Sequence, residues 1–564
     1  MRMFLKRIYL SIAALFLAFS ASAQEGGRDA NSLNAKVDAI FAQYDKPDSP
    51  GCALGVIKDG KLVYSRGYGM ANLEHNIPNS PKLVYDIAST SKQFSAASIL
   101  LLAGQGKLSL DDDARKYIPE LPAYQKPITI RHLIHHTSGL RDYTSLFSMA
   151  GVNFDDTTTE KDALDSIVRQ KGLNFTPGDE WLYSNSGYFL LSIIIKRASG
   201  KSLAVFAKEN IFDPLGMRHT LILDDHKKIV PMRATGYSPK PSGGFQIEMS
   251  NFEQTGDGAV QTSIEDLLLW DQNFYEPKVG GKTFLEQMHA VGALNNGEKH
   301  RYASGLFIGE YKGLRRIDHG GSWAGYRSEL ARFPDQKFSV ACLCNLTRVN
   351  PGALVSKVAD IYLADLFKAA DPPKAMEKAG GDSSDAVIIA EEKLKEKVGV
   401  YRSLTNKEFR RVTLRDGKLW IDDLTMLRST LKPISETRFI AGPDGSWVEF
   451  KSAGGKTQLD LSRNNRKPET FEQAEAFEPD AGRLNEFAGS YYSEELNTTY
   501  MMSVEEGKLF VIDRNGRKRP LTPTIRDSFA VIPGPQFDFS RDAAGKVSGF
   551  AVHAGRIRNV RFSK

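Results

Sequence analysis

Cysteine is scarce: Cys52, Cys342 and Cys344 are the only three in 564 residues, an odd count that rules out a disulfide framework as the basis of the fold. Cys342 and Cys344 alternate within the apolar run Phe338 to Leu346, so both face one side of a strand. They read first as buried apolar thiols, with a bridge from Cys52 to Cys342 or Cys344 left open in an oxidising compartment. Long apolar runs are also missing. The stretch Ile8 to Phe19 is too short for a comfortable membrane span. It follows the basic segment Met1 to Arg7 and precedes Ser20-Ala21-Ser22-Ala23, the pattern of a signal peptide ending near Ala23. A periplasmic or secreted protein with no integral membrane span after cleavage is the expectation, and no cysteine at the cleavage point suggests a lipid anchor. Charge of one sign is lacking too: 74 basic against 68 acidic residues leave a net +6 with no sustained basic run, so no nucleic-acid partner follows. G-x-S-x-G is absent, Gly320-Gly321-Ser322-Trp323-Ala324 only approaching it, which argues against an α/β-hydrolase elbow.

The length exceeds one ordinary hydrophobic core and predicts about three domains. Residues 24–368 mix strand and helix patterns. Cys52 to Ile57, a Lys58-Asp59-Gly60-Lys61 turn and Leu62 to Ser65 predict a hairpin. Ser91 to Gln105, Gly187 to Ala198 and Ser263 to Phe274 predict helices, and Ser304 to Ile308, Ser328 to Phe333 and Phe338 to Cys344 predict strands. Strands at both ends suggest one mixed α/β domain whose sheet joins those ends. A breaker-rich linker follows at 369–392. Beyond it the sequence repeats at an offset of 90: Gly399-Val400-Tyr401 matches Gly489-Ser490-Tyr491, and Gly417-Lys418-Leu419-Trp420 matches Gly507-Lys508-Leu509-Phe510. Two small antiparallel all-β barrels or sandwiches, at 393–478 and 482–564, are predicted.

Three short strings carry the chemistry. Ser89-Thr90-Ser91-Lys92 opens an apolar helical segment and puts a hydroxyl and an amine one turn apart on one face. Serine needs a base within hydrogen-bond reach; Lys92 is the candidate if burial and the positive helix end disfavour its protonated form. The same terminus offers the N–H of Ser89 to an oxyanion. In Tyr183-Ser184-Asn185, the phenol can pass a proton to a leaving group and Asn185 can bind a substrate carbonyl or orient Lys92. His319-Gly320-Gly321 suits a strand edge that a substrate backbone approaches closely, with the N–H of Ser322 as second oxyanion donor. S-x-x-K recurs at Ser429 and H-x-G at His553, neither beside a helix start, and both read as chance. The H-x-x-H-H spacing of His132, His135 and His136 has no acidic partner motif, so no metal site is assigned.

The set of strings, with Thr129 to Leu140, Pro177-Gly178, Asn210 to Met217 and Gly258 to Leu267 around it, resembles the serine β-lactamase and penicillin-recognising hydrolase superfamily. The likeness is to its class C β-lactamase-like branch of D-aminopeptidases, D,D-carboxypeptidases and esterases, and it covers residues 30 to 368. The resemblance implies Ser89 as acylated nucleophile, Lys92 and Tyr183 as proton-transfer partners, and Asn185, His319, Gly321 and Ser322 as substrate-binding positions. It also implies a mainly antiparallel sheet flanked by helices, a small peptide, ester or β-lactam substrate, and no cofactor or metal. Class C β-lactamases usually have lysine where this chain has His319, which favours peptidase or esterase activity over antibiotic degradation; a penicillin-binding sensor of slow turnover is the alternative. The paired β-domains are similar to those of the D-aminopeptidase branch, where a loop of the last domain enters the cleft.

Overall fold

The apolar run from Cys52 forms β1 (Cys52–Lys58), and Asp59 and Gly60, both at positive φ, turn the chain into β2 (Lys61–Tyr68). Two consecutive left-handed residues make the hairpin turn whose twist matches that of its strands. A computed structural model describes residues 32–368, 387, 389–405, 408–422, 428–442, 445–463 and 468–564; the expected signal peptide and most of the expected linker lie outside the described residues. Helix α1 (residues 32–41) precedes the hairpin; α2 (Lys92–Gly104), α3 (Asn185–Ser199) and α4 (Ile264–Gln272) follow it. Then come β3 (Phe307–Tyr311), β4 (Leu314–Trp323), β5 (Tyr326–Phe333), β6 (Phe338–Cys344) and α5 (Pro351–Tyr362). The predicted strand at Ser304 to Ile308 starts only at Phe307, because Gly305 at φ +73 bends the chain.

The six strands lie in the order β3-β4-β5-β6-β1-β2, all antiparallel. β1 pairs with β6, Cys52 opposite Cys344 and Lys58 opposite Phe338, so the two ends of the unit meet in one sheet. Ala53, Ala341 and Leu343 face the helical layer of α2 and α3. Cys52, Leu54, Val56, Val340 and Cys342 face α1 and α5. Burial on both faces explains why β1 and β6 are apolar throughout. This pairing also corrects the reading of three free thiols: Cys52 and Cys344, 292 residues apart, form a disulfide, and Cys342 alone stays a buried thiol. No described helix is long and apolar enough to cross a membrane.

Both β-repeats begin with a short helix, Glu391–Lys395 and Ala481–Asn485, and their first strands are Gly399–Ser403 and Gly489–Ser493. Tyr401 donates to the Lys397 carbonyl, and Tyr491 to that of Phe487, at the same offset of four residues. The second repeat closes into an eight-stranded barrel around Phe487, Tyr491, Phe529 and Phe550. The first is a nine-stranded sheet whose two end strands, Arg428–Thr430 and Lys432–Pro433, are separated only by Leu431. It has the same winding, with the strand that corresponds to Lys518–Pro523 broken in two.

The second barrel docks beside the helical layer. Leu146 joins its core, Tyr500 donates to the Met149 carbonyl (2.7 Å) and Asn515 to that of Gly151 (2.7 Å). At the centre of this contact Arg141 pairs with Glu495, their side chains 2% and 4% exposed. Arg141 also reaches the carbonyls of Arg558 and Asn559. Removing one partner strands a buried charge, so Glu495→Ala should destabilise the docked barrel by about 3–5 kcal/mol. An earlier urea transition is the expected reading; an unshifted transition would show that the pair holds nothing.

Candidate active site

The turn carrying Ser89 is held by nearly every polar group around it. Ala88–Ser91 is a 3-10 turn running directly into α2. Ala88 sits at φ +52, a costly conformation for a residue with a side chain, and its N–H donates to Asp86 (2.7 Å), whose other oxygen accepts from Gln261 (2.8 Å). Thr90 donates its hydroxyl to the His319 carbonyl (3.0 Å), and Ser91 Oγ accepts from the Val260 N–H (3.2 Å). The Ser89 hydroxyl is left facing a cavity of about 930 Å³. Because residues three apart eclipse in a 3-10 turn, Lys92 Nζ comes to 3.2 Å from Ser89 Oγ.

Lys92 is fully buried. Its amine donates to Asn185 Oδ1 (2.9 Å), from the first turn of α3, and to the Asp257 carbonyl (2.6 Å). Asn185 is fixed in turn by its N–H to Asp142 (2.7 Å). The amine also lies over the Tyr183 ring, 4.9 Å from its centroid. The Tyr183 hydroxyl is buried without a partner among the described residues, a donor and acceptor held ready at the cavity that Tyr183 lines. Burial pushes the Asp257 carboxyl up to about 6, against the pull of Lys92; Tyr143 donates to it at 3.0 Å.

β4 forms the opposite wall. β3 begins only at Phe307, opposite Asp318, so from His319 to Trp323 β4 pairs only with β5 and keeps one edge unpaired among the described residues. This is the strand edge expected at His319-Gly320-Gly321, and Gly321 and the exposed Ser322 line the cavity there. A Cβ on Gly321 would lie 2.1 Å from the Ile87 carbonyl oxygen and 2.3 Å from Ser328 Oγ. His319 itself lines the cavity with both ring nitrogens engaged. Nδ1–H donates to the Gly320 carbonyl (2.7 Å), and Nε2 meets the Tyr302 hydroxyl (3.0 Å). Burial first, then Lys92, push His319 down to about 3. The ring is therefore neutral, and Nε2 accepts from Tyr302, which burial keeps protonated.

The structure thus gathers Ser89, Lys92, Tyr183, Asn185, His319, Gly321 and Ser322 in one place. It adds residues that no motif marked. Asp257 contributes through its backbone, Asp86 and Asp142 by bracing Ser89 and Asn185. His136, which the H-x-x-H-H spacing singled out only as a metal candidate, sits at φ +58 with its ring tilted against that of Tyr183, 4.2 Å between centroids. Arg556, from the turn beside the H-x-G string at His553, lines the same cavity; the family likeness implied a loop of the last domain in the cleft but assigned it no residue. Among the described residues two groups bring three metal-capable side chains together: the cysteine cluster, two of whose members form the disulfide, and Asp225, His226 and Glu253. Neither includes a residue of the Ser89 cluster.

Gly321→Ala should push β4 off the Ser89 turn and slow modification of Ser89 by a fluorophosphonate about 10²-fold; labelling at the unaltered rate would show that the close approach does not position Ser89. His319→Gln should leave the shape of the pH–kcat/KM curve unchanged between about pH 5 and pH 8, since a group at about 3 stays neutral there. A wild-type inflection near 6.5 that the variant lacks would contradict this.

A family model described as beta-lactamase matches residues 37–362. The chain is similar to a penicillin-binding protein of Bacillus subtilis (strain 168), 31% identical over 411 residues, 69% of this chain and 88% of the relative. It is similar over nearly its whole length to a D-aminopeptidase of Brucella anthropi, 25% identical across 95% of this chain and 99% of that protein. Among solved structures, the octameric penicillin-binding protein homologue from Pyrococcus abyssi shares the fold, with a TM-score of 0.54 at 24% identity over 78% of this chain and 99% of that one. The matched segment covers more than half of the sequence and contains the Ser89 turn, Asn185 and the β4 edge: the chain belongs to the beta-lactamase family of serine hydrolases.

Proposed function

We propose that the protein is an exported peptidase or amidase that works through an acyl-serine intermediate on substrates containing D-amino acids. The observation that carries the mechanism is the surrounding of Lys92 Nζ. Two of its three oxygen neighbours, Asn185 Oδ1 and the Asp257 carbonyl, can only accept hydrogen bonds. A neutral amine spends its two N–H bonds there and turns its lone pair to Ser89 Oγ. Lys92 then takes the hydroxyl proton as Oγ attacks the substrate carbonyl. The N–H groups of Ser89 and Ser322 receive the oxyanion. Tyr183 delivers a proton to the departing amine, and water later releases the acyl group by the reverse path.

A D-amino-acid preference is favoured by the similarity to D-aminopeptidases across 95% of the chain, both β-repeats included. A neutral His319 where β-lactamases of this branch usually have lysine supports peptide or amide turnover over antibiotic degradation. Export rests on the basic, apolar and small-residue pattern of the first 23 residues. On this reading residues 24–368 are the hydrolase unit, and 393–478 and 482–564 are its two appended β-domains.

Ser89→Ala should abolish both fluorophosphonate labelling and release of p-nitroaniline from a D-alanine p-nitroanilide, with the fold intact by circular dichroism. Lys92→Met should slow labelling about 10³-fold. Labelling that survives in Ser89→Ala sinks the mechanism. Faster turnover of a p-nitrophenyl ester or a chromogenic β-lactam than of the anilide would replace the substrate class.

A further inference from the structure

Arg556 stands on the turn between strands Val547–Ala554 and Ile557–Ser563 of the second barrel, and its side chain, 44% exposed, lines the cavity of Ser89. Its guanidinium carbon lies 4.6 Å from the centroid of the Tyr183 ring. A planar cation over an aromatic face keeps its N–H edge available for a planar anion. We propose that Arg556 is a specificity-determining residue that binds a carboxylate on the leaving group of the substrate, as in a free C-terminal amino acid. This assignment rests on the acyl-serine reading, in which Tyr183 protonates the leaving group.

Three observations carry it. First, the Arg556 guanidinium makes no hydrogen bond among the described residues, and its ion pair there is a long one. Its nearest carboxylate is Asp142 at 3.7 Å, beyond hydrogen-bond range. Asp142 is already committed to the N–H groups of Asn185 (2.7 Å) and Ser145 (3.0 Å) and to the Thr144 hydroxyl. Second, the other acids lining the cavity are engaged elsewhere: Asp86 with Ala88 and Gln261, Asp257 with Tyr143, and Glu329 with Arg316. The other arginine of the cavity lining, Arg327, gives one guanidinium nitrogen to the Ala324 and Tyr326 carbonyls of its own hairpin. Third, the turn is held rigidly. The Arg556 carbonyl accepts from Asn174 (2.9 Å), the Arg558 N–H donates to Asn174 (2.7 Å), and the Arg558 guanidinium reaches Glu180 (2.9 Å). A pre-positioned guanidinium with no hydrogen bond of its own among the described residues is what bidentate capture of a carboxylate requires.

The test compares two substrates that share an acyl part, N-acetyl-D-alanyl-D-alanine and N-acetyl-D-alanyl-D-alaninamide, by release of the common product N-acetyl-D-alanine. The full-length wild type should favour the carboxylate by about 10- to 100-fold in kcat/KM. Arg556→Gln should bring the ratio close to one, chiefly through a raised KM for the acid, and Arg556→Lys should restore part of it. Because the ratio is taken on one preparation, a reduced folded fraction cancels. A wild-type ratio at or below one, or a ratio that survives Arg556→Gln, overturns the proposal. So does failure to cleave either peptide while Ser89 is still labelled by a fluorophosphonate, which leaves the acyl-serine reading standing. Only labelling that persists in Ser89→Ala brings that reading down.

Discussion

A lysine amine with no access to solvent has to find oxygen atoms inside the protein, and Lys92 finds them on three separate stretches of chain. One belongs to its own 3-10 turn, one to the first residue of α3, one to the backbone of the loop before residue 258. A buried amine is costly to leave unpartnered, so the fold must bring all three segments within hydrogen-bond reach of one nitrogen. The braces around them follow from the same demand. Asp142 fixes Asn185, Asp86 and Gln261 fix the left-handed Ala88, and Thr90 and Ser91 tie the turn to β4 and to Val260.

The wall opposite Lys92 is built to be close and uncharged. Gly321 lets β4 lie against the Ile87 carbonyl, and the neutral His319 is bonded at both ring nitrogens. Burial, the largest cause, holds the His319 ring in its neutral form, so this wall carries no cation. The unpaired edge of β4 among the described residues follows from β3 starting no earlier than Phe307. One strand ending short of its neighbour opens backbone groups beside the nucleophile without any change of sequence at the edge itself.

The two β-repeats share their winding, their first-strand tyrosine bond and their offset of 90, yet they occupy different surroundings. The second barrel reaches the hydrolase through Arg141, Glu495 and the Arg556 turn. The first packs against the second, Val400 and Phe409 meeting Ala530, and Arg411 donating to the Pro523 carbonyl. The position of the first repeat that corresponds to Arg556 at the offset of 90 is residue 466, outside the described residues. Duplication supplied a scaffold, and docking gave one copy a residue in the cavity.

What could be read along the chain was whatever depends on near neighbours. The Asp59-Gly60 hairpin, the helices after Ser91 and Ser263, the spacing of Ser89 and Lys92, and the 90-residue repeat are all local patterns, set by side-chain period and turn chemistry. Even the meeting of Ser89 with Tyr183, Asn185 and His319 was expected only through a family likeness, because no spacing connects residues so far apart. The rest required the folded chain. Cys52 meets Cys344 through the β1–β6 pairing, His319 loses its charge through burial, and Arg556 enters the cavity through the docking of a barrel. The sequence by itself determined the elements and the reacting groups, since those follow from local conformation and functional-group chemistry. The tertiary structure alone decided which groups are desolvated, paired or exposed, since burial and contact are set by segments hundreds of residues distant.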